Sequence, residues 1–525
     1  MAWIDVFSLA DLKANGNAVV RRDGRQILLL HNGMQVFACA NRCPHEGYPL
    51  SEGTLSEGCV LTCHWHNWKF DLATGATLIG GDALTLYKVK LDRGRVLVDF
   101  TPADPALRRE AILAGLSQAL EDRDQARLVR ETARLIKLGA DPLDAIRHAV
   151  LWAADRLEFG TSHALGGAND WLELHACPAT AADERLAALG EILGHLAEDA
   201  DHGQRFPFPA GETAWSQSAF LGAIEREDQA GALAILRGGL AAGFTLDELL
   251  PAFIAAALAH YNDFGHSLIY TVKTAALARR LGPLVTPMLL FLLTRSLVHA
   301  TREDLLPEFS SYGARLAAWS EPADGALPLA PASLLLAGSP KAAMRVVAGW
   351  SGRYDAERIF AVAVGAAAWQ LLHVDEPFLT RTEGKFADNI GWLDFTHALT
   401  FAEAAHEAMR MTPELWPHVL LQLACFIGRN CAYPDANLDT RPFEVADIDG
   451  FFDESRRMLF DHGRDRFIVS VHLIKTLMAG AALTKVVPEH APCLAAGLNR
   501  LVHARMKGRH VLRTARQMRG LVEQE

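Results

Sequence analysis

Two short cysteine–histidine clusters near the N-terminus constrain this chain more than anything else in it. Cys43-Pro44-His45 is followed, after 17 residues, by Cys63-His64-Trp65-His66. Each lies between runs rich in β-branched and aromatic residues, so each reads as a loop joining two strands. A Cys-x-His pair and a Cys-x-x-His pair on such loops can wrap a two-iron, two-sulfur cluster, two thiolates on one iron and two imidazoles on the other. Exchanging thiolates for neutral imidazoles removes negative charge and raises the reduction potential. The same four donors suit a tetrahedral zinc, and spacing alone leaves zinc open.

Around these loops, NAVVRR, RQILLLHN, MQVFACA, CVLTC, NWKFDL, LYKVKL and RVLVDF predict strands. Turn signals at Arg22-Asp23-Gly24, Asn32-Gly33 and Asp92-Arg93-Gly94 part several of them. A small all-β domain over residues 1–103 follows, closed by Thr101-Pro102-Ala103-Asp104-Pro105. From residue 106 to 525 apolar residues recur at helical spacing, as in Pro142–Phe159, Thr245–His260, Leu268–Leu281, His397–Met411 and Phe467–Leu483. The breaks are loops at His202–Thr213, Ser320–Ala332 and Tyr433–Gly450. The expected fold is therefore multidomain, a small all-β domain and then a large all-α one.

Composition narrows the setting. The net charge of −11 argues against a nucleic-acid partner, although Arg500 to Arg519 is a locally basic stretch. The opening residues lack a basic n-region and a long apolar h-region, so no signal peptide is expected. Met288–Leu293 and Ala361–Trp369, read as the most apolar runs, are shorter than the ~20 residues a bilayer needs. No membrane partner and a cytoplasmic location are expected. There, eight cysteines suit metal ligation better than a disulfide framework.

In ligands and spacing the first hundred residues resemble the Rieske [2Fe-2S] family. The resemblance implies that Cys43 and Cys63 bind one iron and that His45 and His66 bind the other, His64 standing between ligands. Rieske proteins of the bc type carry a further cysteine in each cluster loop, paired as a disulfide. Here the loops read CPHEGYPL and CHWHNWKF, without that pair. The chain thus resembles the oxygenase and ferredoxin branch, which implies a lower potential and a soluble electron donor. Trp65 and Trp68 are expected to shield the cluster, and Cys39 and Cys59 to be small buried apolar residues.

A cluster of this kind moves one electron, so bond chemistry has to come from the helices. The Asp-x-x-His-x-x-x-x-His run of familiar Rieske oxygenases is absent. Instead, four stretches place a histidine near the start of an Ala/Leu-rich helix: SHAL (His163), FGHSLI (His266), THALT (His397) and VHLIK (His472). In that order they resemble the motifs of the questin oxidase-like family of helical oxygenases, the first stretch least well. The family includes a ring-cleaving non-haem iron enzyme whose metal is held by four histidines and a carboxylated lysine. The resemblance makes His163, His266, His397, His472 and Lys475 the candidate iron shell. Imidazole suits iron and an oxygen donor completes the shell. His472 and Lys475, at i and i+3, share a helix face.

Blander readings stand beside this one. Each histidine is also explained as a hydrogen-bonded core residue, and Lys475 as a snorkelling lysine. His148, His175, His195, His260, His299, His373, His406, His503 and His510 are alternative ligands, and His397-Glu403-His406 a separate shell. His260-Asp263-His266 with Glu158–His163 is a di-iron alternative. Glu158, Asp170 and Glu173 read as orienters of a ligand imidazole or as solvated surface, and Tyr270 as core, pocket lining or a catalytic proton donor. The expected function is an oxygenase: an external NAD(P)H-dependent reductase or ferredoxin reduces the [2Fe-2S] cluster, and a mononuclear non-haem iron uses O2 to hydroxylate or cleave a small organic, aromatic or polycyclic substrate. The alternatives are a non-catalytic electron carrier on a helical docking scaffold and a di-iron oxygenase. A homo-oligomer, as in ring-shaped Rieske oxygenases, is a further expectation of the resemblance.

Overall fold

The computed structural model describes residues 3–524 except 23, 34, 57, 102, 103, 260, 261, 303, 304, 308, 321–332, 337, 386–388 and 507–509. Only the backbone of 262, 263 and 334 is described. His260, the side chain of Asp263, the boundary residues Pro102 and Ala103, and nearly all of the Ser320–Ala332 loop therefore lie outside the described residues. The chain divides into two compact units, Met1–Gly115 and Leu116–Glu525. The division falls inside the helix Pro105–Asp122, whose first residue is a proline already set to helical φ.

The first unit is β-rich: β1 (Trp3–Ser8), β2 (Asn17–Arg22), β3 (Arg25–His31), β4 (Val36–Ala40), β5 (Thr54–Leu55), β6 (Val60–Thr62), β7 (Lys69–Asp71), β8 (Thr77–Ile79), β9 (Leu86–Tyr87), β10 (Val89–Asp92) and β11 (Arg95–Asp99). They form three antiparallel sheets, ordered β1-β11-β10, β2-β3-β4-β9 and β5-β6-β7-β8. The run RQILLLHN becomes β3, a strand buried on both faces. Leu28 and Leu30 join one apolar core with Cys39, Cys43, Cys63 and Phe70, while Ile27 and Leu29 join another with Leu12, Val96 and Val98. Sequence patterning missed β1, β5, β8 and the short helix Leu9–Asn15, and it merged β9 and β10. Cys39 is buried as expected, but Cys59 is only half-buried and its sulfur accepts a hydrogen bond from Asn32 Nδ2 at 3.0 Å.

In the second unit, no strand is assigned among the described residues. Four helices carry the four histidines: His163–Ala176, Asn262–Leu281, Trp392–Met409 and Phe467–Val486. Each packs against two of the others, closing a ring in chain order. The expected Pro142–Phe159 helix is shorter, Asp144–Ala153, which frees residues 154–162 to lead into His163. The His397 helix begins earlier than its periodicity implied, at Trp392, where the Asp394 carboxylate caps it by accepting from Gly391 N at 2.7 Å. Among the described residues, Phe467–Val486 is the one helix long and apolar enough to cross a membrane by length and composition, which corrects the shorter runs singled out above. It is mostly buried among its neighbours, as the core helix of a helical unit is.

Glycines let the ring close. On the His163 helix, a Cβ at Gly166 would stand 2.8 Å from the Tyr270 ring and one at Gly167 would overlap the Val471 side chain. Gly167→Ala is expected to push the His163 and His472 helices apart and to cost about 1–3 kcal/mol, read by chemical denaturation. Gly265, at φ +84, likewise has no room for a side chain against Phe401. Phe264 before it is held at φ 61, an uncommon conformation for an aromatic residue, two positions ahead of His266.

Candidate metal centres

In the β unit the two cysteine–histidine loops are near copies. Cys43 N donates to Tyr48 O and Cys63 N to Trp68 O, both at 2.8 Å. Each loop ends on a left-handed residue, Gly47 (φ 77) and Asn67 (φ 59). The loops place both thiols in the core, Cys43 within hydrogen-bonding reach of Cys63, and burial pushes the Cys43 thiol up to about 11. The imidazoles stand nearer solvent, with His45 Nδ1 and His66 Nδ1 facing each other at 3.2 Å. Glu46 lies beside both rings, its carboxylate 3.9 Å from His45 Nε2 and 3.7 Å from His66 Nε2. A buried thiol pair and two converging Nδ1 atoms form a donor set that fits a two-iron cluster. His64 turns away, its Nε2 2.7 Å from Thr54 Oγ1. Trp68 stacks on His45 at 4.7 Å between centroids, against Gly80, where a Cβ would overlap the indole. Trp65 does not shield the pair in the same way: it is 54% exposed and stacks on Tyr48.

The helical unit brings His163, His266, His397 and His472 together, with one ring nitrogen of each within 4.8 Å of all the others. The rings follow one another around a closed circuit, with centroid separations of 4.9 Å (His163–His266), 4.7 Å (His266–His397), 5.1 Å (His397–His472) and 5.0 Å (His472–His163). His266 Nε2 is 3.1 Å from His163 Nε2, and His472 Nε2 is 3.3 Å from His397 Nε2. Two imidazoles at right angles on one metal, with bonds of about 2.1 Å, would have nitrogens about 3.0 Å apart. In two of the four, the other ring nitrogen has a partner that turns Nε2 inward. His472 Nδ1 donates to Ile468 O at 2.6 Å, and His163 Nδ1 lies 3.2 Å from Tyr270 Oη. Burial, with Lys475 and the neighbouring imidazoles next, holds His163, His397 and His472 well below the usual histidine range. They are neutral donors, as ligation requires.

Lys475 lies beside this cage and does not snorkel. It is 1% exposed, and its Nζ has no hydrogen-bond partner. Burial lowers its pKa to about 8, Asp170 and Glu403 opposing and Lys273 reinforcing the shift. Lys273, which sequence reasoning missed, sits 3.0 Å from Asp170 Oδ1 and 3.1 Å from Glu403 Oε2. The two carboxylates raise its pKa against its own burial, and burial lifts Asp170 to about 6. The missed signal was helical spacing: Lys273 falls seven residues after His266, as Asp170 does after His163.

The other sequence alternatives scatter. Glu403 is taken by Lys273, so it builds no separate shell with His406, which stacks on Phe360. Glu173 accepts from Asn169 and Glu158 is exposed. Among the described residues, no carboxylate joins the four-histidine group. His163 itself lines a cavity of about 540 Å³ with Arg156, Glu158, Thr161, Ser162 and His202, which gives the cage a route outward.

Comparison with known proteins assigns one of the two centres. Residues 2–83 match the Rieske [2Fe-2S] domain. The ferredoxin component of the naphthalene 1,2-dioxygenase system of Pseudomonas putida is 29% identical over 101 residues, 19% of this chain and 96% of that protein. The ferredoxin component of the naphthalene 1,2-dioxygenase/salicylate 5-hydroxylase systems of Ralstonia sp is 32% identical over 99 residues, 18% of this chain and 93% of that protein. The 4beta-methylsterol monooxygenase of Methylococcus capsulatus is 36% identical over 100 residues, 17% of this chain and 26% of that enzyme. Each of these matches covers less than a fifth of the chain, so they say nothing of what most of it does. Through its N-terminal unit, whose loops hold a buried thiol pair against a facing imidazole pair, the chain belongs to the Rieske [2Fe-2S] family.

Proposed function

We propose that the chain is an iron-dependent oxygenase in which the Rieske unit supplies electrons for a mononuclear non-haem iron held by His163, His266, His397 and His472. The convergence of four imidazoles inside a helical unit carries this reading. Iron bound there would supply O2 activation, and the [2Fe-2S] cluster one electron at a time. The protein's own part is positioning. Ile468 O and Tyr270 Oη orient His472 and His163, and Tyr270 is a phenol beside the cage through which a proton can be held at His163 Nδ1. Lys475, buried and unpartnered, is suited to take up CO2, losing one proton as the carbamate forms. That would give a fifth, oxygen donor, as the resemblance to questin oxidase-like enzymes implies. The reaction would be hydroxylation or ring cleavage of an organic, aromatic or polycyclic substrate. An NAD(P)H-dependent reductase or a ferredoxin would be the electron source, and the cytoplasm the setting.

Metal analysis tests this directly. About three irons and about two acid-labile sulfides per chain are expected from protein made with ample iron. Two irons would remove the mononuclear site and leave the electron carrier, and four would favour the di-iron centre. Carboxylation has its own readout: protein equilibrated with 13C-bicarbonate should show one carbamate carbon resonance that Lys475→Arg lacks. Lack of that resonance in the unsubstituted protein would leave the iron with histidine donors alone.

A further inference from the structure

A second cavity, of about 610 Å³, lies at the N-terminal ends of two of the cage helices. Leu393 and Ile468 stand in its wall, each one helical turn ahead of a cage histidine, so about 5.4 Å along the axis. Ile468 is also the residue whose carbonyl holds His472. The wall is cationic in a chain of net charge −11: Arg466, Arg500, Arg505 and Arg513 face two carboxylates, Glu376 and Asp394. Asp394 is already engaged in capping its helix, and Glu376 is largely exposed, 3.5 Å from Arg500. Three of the arginines come from the basic stretch 500–519, which holds seven Lys or Arg and no Asp or Glu.

Arg500 makes this more than a basic surface. It is 4% exposed and lies 5.2 Å from the ring centres of both Trp392 and Phe443. Nη1 donates to Leu372 O at 2.7 Å, but the buried Nε–H has no acceptor. A guanidinium fixed by packing, with a donor unspent, is preorganised for an oxyanion. The cavity volume is that of a small-molecule site, and Leu393, Ile468 and Val469 give it an apolar side.

We propose that this cavity binds a small organic carboxylate, its anionic end at Arg500, Arg505 and Arg513 and its apolar body against Leu393, Ile468 and Val469. Making that anion the substrate rests on the oxygenase reading above; the binding itself does not.

Calorimetry on the full chain with biphenyl-4-carboxylate and its neutral twin, biphenyl-4-carboxamide, tests the proposal. The carboxylate is expected to bind roughly tenfold more tightly than the carboxamide. Arg505→Gln and Arg513→Gln should each weaken the carboxylate alone by about threefold, and Arg500→Gln by about tenfold or more. If Arg500→Gln fails to fold, as circular dichroism would show, the two surface variants decide. Equal affinity for the two probes, no binding of either, or arginine variants that bind like the parent would overturn it. Iron counted on the same preparations separates the two ideas. Carboxylate binding with two irons per chain keeps the site and removes the oxygenase. No binding with three irons removes only the site.

Discussion

His472→Ala is expected to lower iron from about three to about two per chain while leaving the absorption and EPR signals of the Rieske cluster unchanged. Oxygen uptake with substrate should fall to the level of protein lacking the third iron. The prediction is this sharp because His472 is held from two sides. Ile468 O fixes its Nδ1–H, and its Nε2 meets His397 Nε2 at 3.3 Å. Alanine removes one corner of the circuit, and the buried surroundings offer no carboxylate in its place among the described residues. Tyr270→Phe makes a graded comparison. It removes only the hydroxyl beside His163 Nδ1 and should weaken iron binding by about 10–100-fold. If His472→Ala kept the third iron, the cage would not be its site.

Lys273→Met is expected to destabilise the chain by about 3–5 kcal/mol, the cost of stranding a buried charge. Lys273 and Asp170 have side chains 6% and 1% exposed, and Glu403 closes the group from a third helix. Without the ammonium, two carboxylates confront each other in the core. Adding Asp170→Asn should recover part of the loss, because it removes one of the two facing carboxylates and leaves Glu403, the less buried one. The sign with pH follows from Asp170, whose pKa burial already raises to about 6. Such a group binds its proton more readily in the folded chain, so it opposes stability as pH rises above the unfolded carboxylate range. The Lys273→Met deficit should therefore narrow as pH falls from about 7 toward about 5. Urea denaturation followed by circular dichroism measures the parent and both variants. A deficit under about 1 kcal/mol would mean that the group is a solvated surface pair and not a buried one.

The cluster loops were legible because ligand spacing is local: one residue on one loop and two on the other separate cysteine from histidine. β3 was legible as an apolar run, yet nothing in RQILLLHN says that its alternate residues serve two cores. That depends on what packs on each face. The cage histidines stood out by their order along the chain, but their convergence is tertiary. Lys273 was missed because a lysine in an apolar helix is ordinarily taken to reach for solvent, and its two partners sit on other helices. The start of the His397 helix was misplaced because Trp392-Leu393-Asp394-Phe395-Thr396 is a poor helix former by propensity. Its cap is a side chain inside the first turn, not a Ser or Thr ahead of it.

The helix ring closes only when the segment around residue 472 joins one that begins at residue 163. On a ribosome adding about 5–20 residues per second, the Rieske loops emerge roughly 20–80 s before that last segment. With iron in the histidine cage as proposed, the two metals would thus be acquired at different moments of biosynthesis. The sulfur cluster can be installed on a nascent chain, whereas the histidine centre has to wait for a nearly finished one. Cells starved of iron late in translation would accumulate molecules that can be reduced and have nowhere to send the electron.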